Sequence, residues 1–213
     1  GRFWREAEAV HFCRRIGFSA TPEAVREAQR HSIRDCIGQR FDPATTMEKP
    51  EALKTYEAGA HERYRHIYRE VEDVEERRRL RRELRREDNR NFRDFGMRWY
   101  RHARKPENSA REKFVCFLQD IFVVERQKVR ETPTLFDLQQ TLRAGIDGSY
   151  PELCKKVSRE PAMLRYLDLD RSTARKPNEN FARELFELFI LGEGHYTERD
   201  IKEAARALTG YRV

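Results

Sequence analysis

The chain has 213 residues, 38% charged and 38% hydrophobic, and 44 Lys and Arg against 37 Asp and Glu leave a formal charge of +7. Thirteen Phe, eight Tyr and two Trp exclude a disordered chain, and a sequence without 18 consecutive apolar residues excludes a membrane-crossing helix. At this length roughly two thirds of the unfolded surface can be buried, which suits a helical domain with a real core.

The first forty residues read as three short helices. Trp4, Ala7, Val10 and Phe12 carry the first to a break at Gly17, and Thr21 and Pro22 start the second as N-cap and first-turn proline. Ser32 with Asp35 resembles a capping box for the third, which carries Ile33, Cys36 and Ile37. Residues 42–50, with two prolines and two threonines, form a connecting loop. From Ala58 to Arg104 there is no proline, and Tyr64, Ile67, Tyr68, Val71, Val74, Leu80, Leu84, Phe92, Phe95 and Trp99 recur three or four apart. This predicts one long helix, or two with a break near Asn89 to Asn91.

The arginine-rich run from Glu76 to Glu87 invites a nucleic-acid reading, but residues 61–90 hold 11 Lys or Arg against 9 Asp or Glu, a net of +2. Pairs four apart, Asp73 with Arg77 and Glu75 with Arg79, explain it more simply as a salt-bridged solvated helix. A hairpin projecting to meet a partner is a third reading.

Further on, Phe114, Phe117, Leu118, Ile121 and Phe122 form an apolar stripe after Pro106, and Leu135, Leu138 and Leu142 another after Pro133. Pro151 and Pro161 sit near the starts of two short helices. Cys13, Cys36, Cys116 and Cys154 lack CxxC spacing and read as buried free thiols. The fold class is therefore all-α: a multi-helix, bundle-like domain with a long charged central helix or helical hairpin. Its parts are a short-helix unit over 1–41, the charged segment over 58–105, and a helical core over 106–213.

The stretch from Lys176 to Gly210 is the most chemically specific. With Asn178 as N-cap, a helix to Leu191 puts Phe181, Ala182, Leu185, Phe186, Leu188 and Phe189 on a broad apolar arc. The same projection gathers Asn180, Arg183, Glu184 and Glu187, where Arg183 can pair with Glu187 and Asn180 can bond Glu184. Gly192 and Gly194 end the helix, and Thr197 with Asp200 starts another carrying Ile201, Ala204, Ala205 and Leu208. Two helices joined by so short a loop make a hairpin with His195 and Tyr196 at its tip.

The stretch PNENFARELFELFILGEGHYTERDIKEAARALTGYRV resembles the signature of the bacterial family called domain of unknown function 1800. HFCRRIGFSATPEAV, REKFVCFLQDIFVVERQKV and VSREPAMLRYLD resemble that family's other blocks in the same order. The resemblance implies an exported protein, periplasmic or extracellular, encoded beside members of domain of unknown function 1501, one of which would be its partner. It also implies that this chain is the N-terminal half of a longer architecture, in keeping with its start at Gly1 rather than Met. Relatives carry a Trp-His-x-His-Phe-like run where this chain has Leu118, Gln119, Asp120, Ile121 and Phe122, so histidine chemistry there is not inherited.

Two readings of the terminal motif follow. Glu184 and Glu187, with Arg183 and His195, could supply acid-base groups, and the two glutamates could hold a metal, with Asp168 as a further carboxylate. The Glu-x-x-His element of di-metal bundles is absent, since Glu184 is followed three residues later by Glu187. Alternatively Asn178, Glu179, Asn180, Arg183, Glu184 and Glu187 form a structural polar network. There is no glycine-rich phosphate loop and no GxSxG elbow, so no cofactor is assigned. The sequence favours a helical binding or assembly module, with part of a metal-dependent or acid-base hydrolase as the runner-up and nucleic-acid binding through the Arg-rich helix third.

Overall fold

A computed structural model describes residues 4–42 and 46–212. In chain order the helices are α1 (Glu6–Ile16), α2 (Pro22–Gln29), α3 (Ile33–Arg40), α4 (Glu51–Arg65), α5 (Val74–Ala103), α6 (Pro106–Ile121), α7 (Thr132–Ala144), α8 (Tyr150–Val157), α9 (Pro161–Tyr166), α10 (Glu179–Glu184) and α11 (Glu198–Ala207). π turns extend α4 over His66–Glu70 and α10 over Leu185–Ile190, and a 3₁₀ turn spans Leu169–Arg171. Among the described residues there is no strand, only an isolated bridge between Thr173 and Lys176. The fold is all-α. Part of the 42–50 loop lies outside the described residues.

Two compact units partition the chain, one built from residues 1–48 and 96–118, the other from 49–95 and 119–213. In the first, Ala9, Cys13, Val25, Ala28 and Cys36 form the core, with Trp4, Val10 and Phe12 packed against it. The caps are local and as expected: Thr21 accepts from the Ala24 N–H at 3.2 Å, and Ser32 from the Asp35 N–H at 3.2 Å. Lys113 donates to the carbonyls of Arg14 and Gly17, both at 2.8 Å, satisfying acceptors left bare where α1 ends. All four cysteines are free, three of them buried.

The stripe expected on α6 is corrected. Phe114 and Phe117 are exposed, whereas Arg111, Glu112, Val115 and Leu118 are buried. Hydrogen bonds make this possible, because Arg111 donates to the Phe41 carbonyl at 2.7 Å and Glu112 accepts from the Trp99 indole at 2.7 Å. Counting apolar residues alone places the buried face off by a residue. At the far end of the helix Leu118 and Phe122 are core, and Gln119 and Asp120 face solvent.

In the second unit the expected break at Asn89 to Asn91 is also corrected, since α5 runs straight through it and the interruption lies at 71–73. Val71 takes an extended conformation, and Asp73 restarts the helix by accepting from the Glu76 N–H at 2.6 Å. The charged segment therefore folds back on itself, with Arg63 of α4 paired to Glu87 of α5 at 2.9 Å. Its intrahelical pairs differ from those expected. Arg78 pairs with Glu75, and Arg79 with Glu76 and Glu83, while Arg77 donates to the Val71 carbonyl beside the break.

Elsewhere in this unit Phe136 packs edge-on to Phe95, ring centres 5.4 Å apart, and Phe122 lies 5.2 Å from Phe189. The second π turn shifts residues off the 100° projection. Phe181, Ala182, Leu185 and Phe189 are buried as expected, but Leu188 is 61% exposed. Gly192 and Gly194, with φ of 80° and 81°, supply the left-handed turn that ends it.

Tyr150 donates to the Phe189 carbonyl at 2.8 Å, within that turn. Loss of water around its hydroxyl, with the nearby Cys154, pushes its pKa up to about 12. The folded chain thus keeps a proton that the unfolded chain releases near 10, so this contribution is intact below pH 10 and lost as pH rises from about 10 to about 12. Urea melts at pH 8 and pH 11 should show a smaller loss for Tyr150→Phe than for the wild type, with the variant about 1 kcal/mol less stable at pH 8.

Candidate functional sites

The terminal motif folds by local rules. Asn178 caps α10, accepting from the Phe181 N–H at 3.2 Å, and donates to the Leu167 carbonyl at 2.7 Å. Its own N–H reaches Ser172 Oγ at 3.0 Å, and Ser172, fully buried, bonds Thr209 at 2.8 Å. Thr197 and Asp200 form the capping box of α11, which holds Asp200 below its ordinary carboxylate pKa. Ala182, Ile201 and Ala205 form the core of the hairpin.

Of the expected polar set, Arg183 and Glu187 come together with two residues that sequence reasoning did not include in it, Tyr196 and Glu198. Arg183 makes a two-pronged bond to Glu198, both contacts at 2.8 Å, and lies 3.9 Å from Glu187, to which Tyr196 donates. The Arg183 hydrogen bond holds Glu198 below the usual carboxylate range. The bond to Glu187, aided by loss of water, raises Tyr196. Asn180 and Glu184 do not bond each other, and Glu179 and His195 are exposed. Asp168 stands apart, engaged by Lys128 at 2.7 Å and Arg171 at 3.4 Å. Among the described residues no group of three His, Cys, Asp or Glu side chains is placed to share a metal ion.

A different site appears in the second unit. Tyr56 and Tyr64 of α4, Tyr68 of the first π turn, Arg81 and Arg85 of α5, and Arg126 and Arg130 of the segment before α7 line a cleft of about 410 Å³. Tyr64 and Tyr68 stack, planes 15° apart and ring centres 6.2 Å apart, and Arg81 sits 5.3 Å from the Tyr68 ring centre. Burial raises the pKa of the Tyr56 and Tyr64 hydroxyls above its ordinary value.

Asp88, also lining the cleft, is 2% exposed. It accepts the Thr132 N–H at 2.8 Å and pairs with Arg126, which also donates to Asn89 at 3.3 Å. Arg81, Arg85 and Arg130 meet no carboxylate within ion-pair distance among the described residues. Four cations against one anion leave the lining at +3.

The family model described as Protein of unknown function (DUF1800) matches residues 11–213. The chain belongs to that family. No curated protein and no solved structure matches it. In this DUF1800 chain the terminal signature holds a hairpin together, while the ligand-sized cleft draws on residues 56 to 130. The one local signal for the cleft was Tyr64 and Tyr68 four apart, a spacing that also suits an ordinary buried stripe. No helix among the described residues is long and apolar enough to cross a membrane.

Removing the buried carboxylate with Asp88→Ala strands Arg126 and the Thr132 N–H, and should lower the unfolding free energy by about 3 to 5 kcal/mol in urea titrations. In the terminal motif, Asn178→Ala should cost about 1 to 2 kcal/mol. Glu184→Gln should stay within about 0.5 kcal/mol of wild type in the same assay.

Proposed function

We propose that this chain is a helical binding module of an exported bacterial protein, and that it engages an acidic protein partner through the arginine–tyrosine cleft. The observation that carries this reading is the set of three arginines without carboxylate partners, Arg81, Arg85 and Arg130, gathered beside stacked tyrosines. Guanidinium forks and phenol hydroxyls both suit a carboxylate, and the ring faces suit the apolar neighbour of an acidic residue. The hairpin segment 61–90 has a net charge of only +2, so the positive field is local to the cleft. That fits a discrete acidic group better than a nucleic-acid backbone running along the helix.

The terminal motif supports the same conclusion. Glu187, Arg183 and Asn178 are engaged in joining elements of the hairpin and its neighbours. An enzyme reading would need Glu184 and Glu187 converging on a ligand, and Glu187 already accepts from Tyr196. The family resemblance supplies a first partner to try, a protein of domain of unknown function 1501.

Fluorescence anisotropy with a labelled octaglutamate peptide tests the proposal. Binding should weaken as salt rises, since the contacts are charged and partly exposed. Arg85→Glu should weaken it about tenfold, and Arg206→Glu, at a residue that does not line the cleft, should leave it unchanged. A single-stranded oligonucleotide binding more tightly than the peptide, or an Arg85→Glu variant indistinguishable from wild type, would contradict the reading.

A further inference from the structure

The first unit holds a second cavity, of about 480 Å³, whose chemistry differs from that of the cleft. Ile16, Phe18, Ala24, Trp99, Tyr100 and Ala103 give it apolar walls, and two cations, Arg40 and Arg104, also line it. The helix spacing orders these groups. Trp99, Tyr100 and Ala103 lie on one side of α5, Arg104 continues its last turn with its N–H on the Tyr100 carbonyl, and at 1.5 Å per residue Trp99 and Arg104 are separated along the axis by about 7.5 Å. Arg40 donates to the carbonyl of Pro106, two residues beyond Arg104, which sets both cations at the same end.

The apolar end is held firmly. Phe18 meets Trp99 edge to face, ring centres 6.3 Å apart at 89°, and the Trp99 indole N–H is fixed by Glu112 at 2.7 Å. Cys13 forms part of the lining, and burial keeps it a thiol, so that wall behaves as a small apolar surface. Neither Arg40 nor Arg104 has a carboxylate within ion-pair distance among the described residues. The volume lies in the range of small-molecule sites, and the arrangement is an apolar body with a cationic end.

From this geometry we infer that the cavity binds an amphipathic monocarboxylate, a medium-chain fatty acid, with its carboxylate at Arg40 and Arg104 and its chain over Ala103, Trp99 and Ile16. Charge complementarity selects this occupant over an uncharged one. The cavity shares no lining residue with the acidic-partner cleft, and the inference does not rest on that reading.

The test is titration of the whole chain with decanoate, below its micelle concentration, by calorimetry and tryptophan fluorescence. Decanoate should bind with micromolar affinity. Each methylene removed from the chain should weaken it by roughly three- to fourfold, so hexanoate, shorter by four, binds on the order of a hundredfold more weakly. Decanol, lacking the carboxylate, should bind about tenfold more weakly than decanoate. Arg104→Gln should remove that advantage and leave decanol unchanged, with circular dichroism checking the fold. Arg40→Gln is the second variant and should act in the same direction. Trp99→Phe should remove most of the fluorescence response while calorimetry still reports binding.

Equal affinity for decanoate and decanol would overturn the proposal, as would a fluorescence response undiminished in Trp99→Phe. No heat with decanoate, together with a dimer in sedimentation that Arg104→Gln dissociates, would assign the cavity to a second copy of the chain and equally overturn it.

Discussion

A single buried carboxylate organises the second unit. Asp88 sits midway along α5 with almost no contact with water, a position that is costly for a charge unless it is fully partnered. Its partners come from the far side of the sequence: the Thr132 N–H at the start of α7 and the Arg126 guanidinium just before it. Thr132 returns the contact, its hydroxyl donating to the Asp88 carbonyl at 3.2 Å. These bonds fix the 122–131 segment against α5. They carry Arg126 and Arg130 to the place where Arg81 and Arg85 already project, so the arginine–tyrosine cleft is a consequence of how one charge is kept stable.

The same interaction explains why α5 does not break where its sequence looks weakest. Asp88, Asn89 and Asn91 have low helix propensity because their side chains compete for backbone groups. Here Asp88 and Asn89 are occupied elsewhere, with Thr132 and Arg126, and the helix continues. The break falls instead at 71–73, where Asp73 has an N–H to cap and Arg77 satisfies the exposed Val71 carbonyl. Residue type alone does not separate a capping aspartate from a buried, paired one; the difference lies in a partner 44 residues away.

What was legible in the sequence was local. Thr21, Ser32, Asn178 and Thr197 each cap through a bond three residues long, and Gly192 and Gly194 take the left-handed conformation the turn requires. The all-α class and family membership follow from many such signals acting together. What was not legible depends on contact between distant segments. The π turns shift registry within a helix, moving Leu188 outwards, and the face of α6 is set by hydrogen bonds to Arg111 and Glu112 rather than by apolar count. The most distinctive sequence, at the C-terminal end, turned out to hold a joint: Arg183 grips Glu198 on the next helix, 15 residues on.

The central claim is that the cleft, and not the terminal hairpin, meets the partner. It is tested most directly by NMR with labelled arginine side chains, titrating the acidic peptide and following each guanidinium signal. The account predicts that Arg81, Arg85 and Arg130 shift progressively while Arg183 stays fixed on Glu198. Shifts confined to Arg183 and its neighbours, with the cleft arginines unmoved, would contradict it.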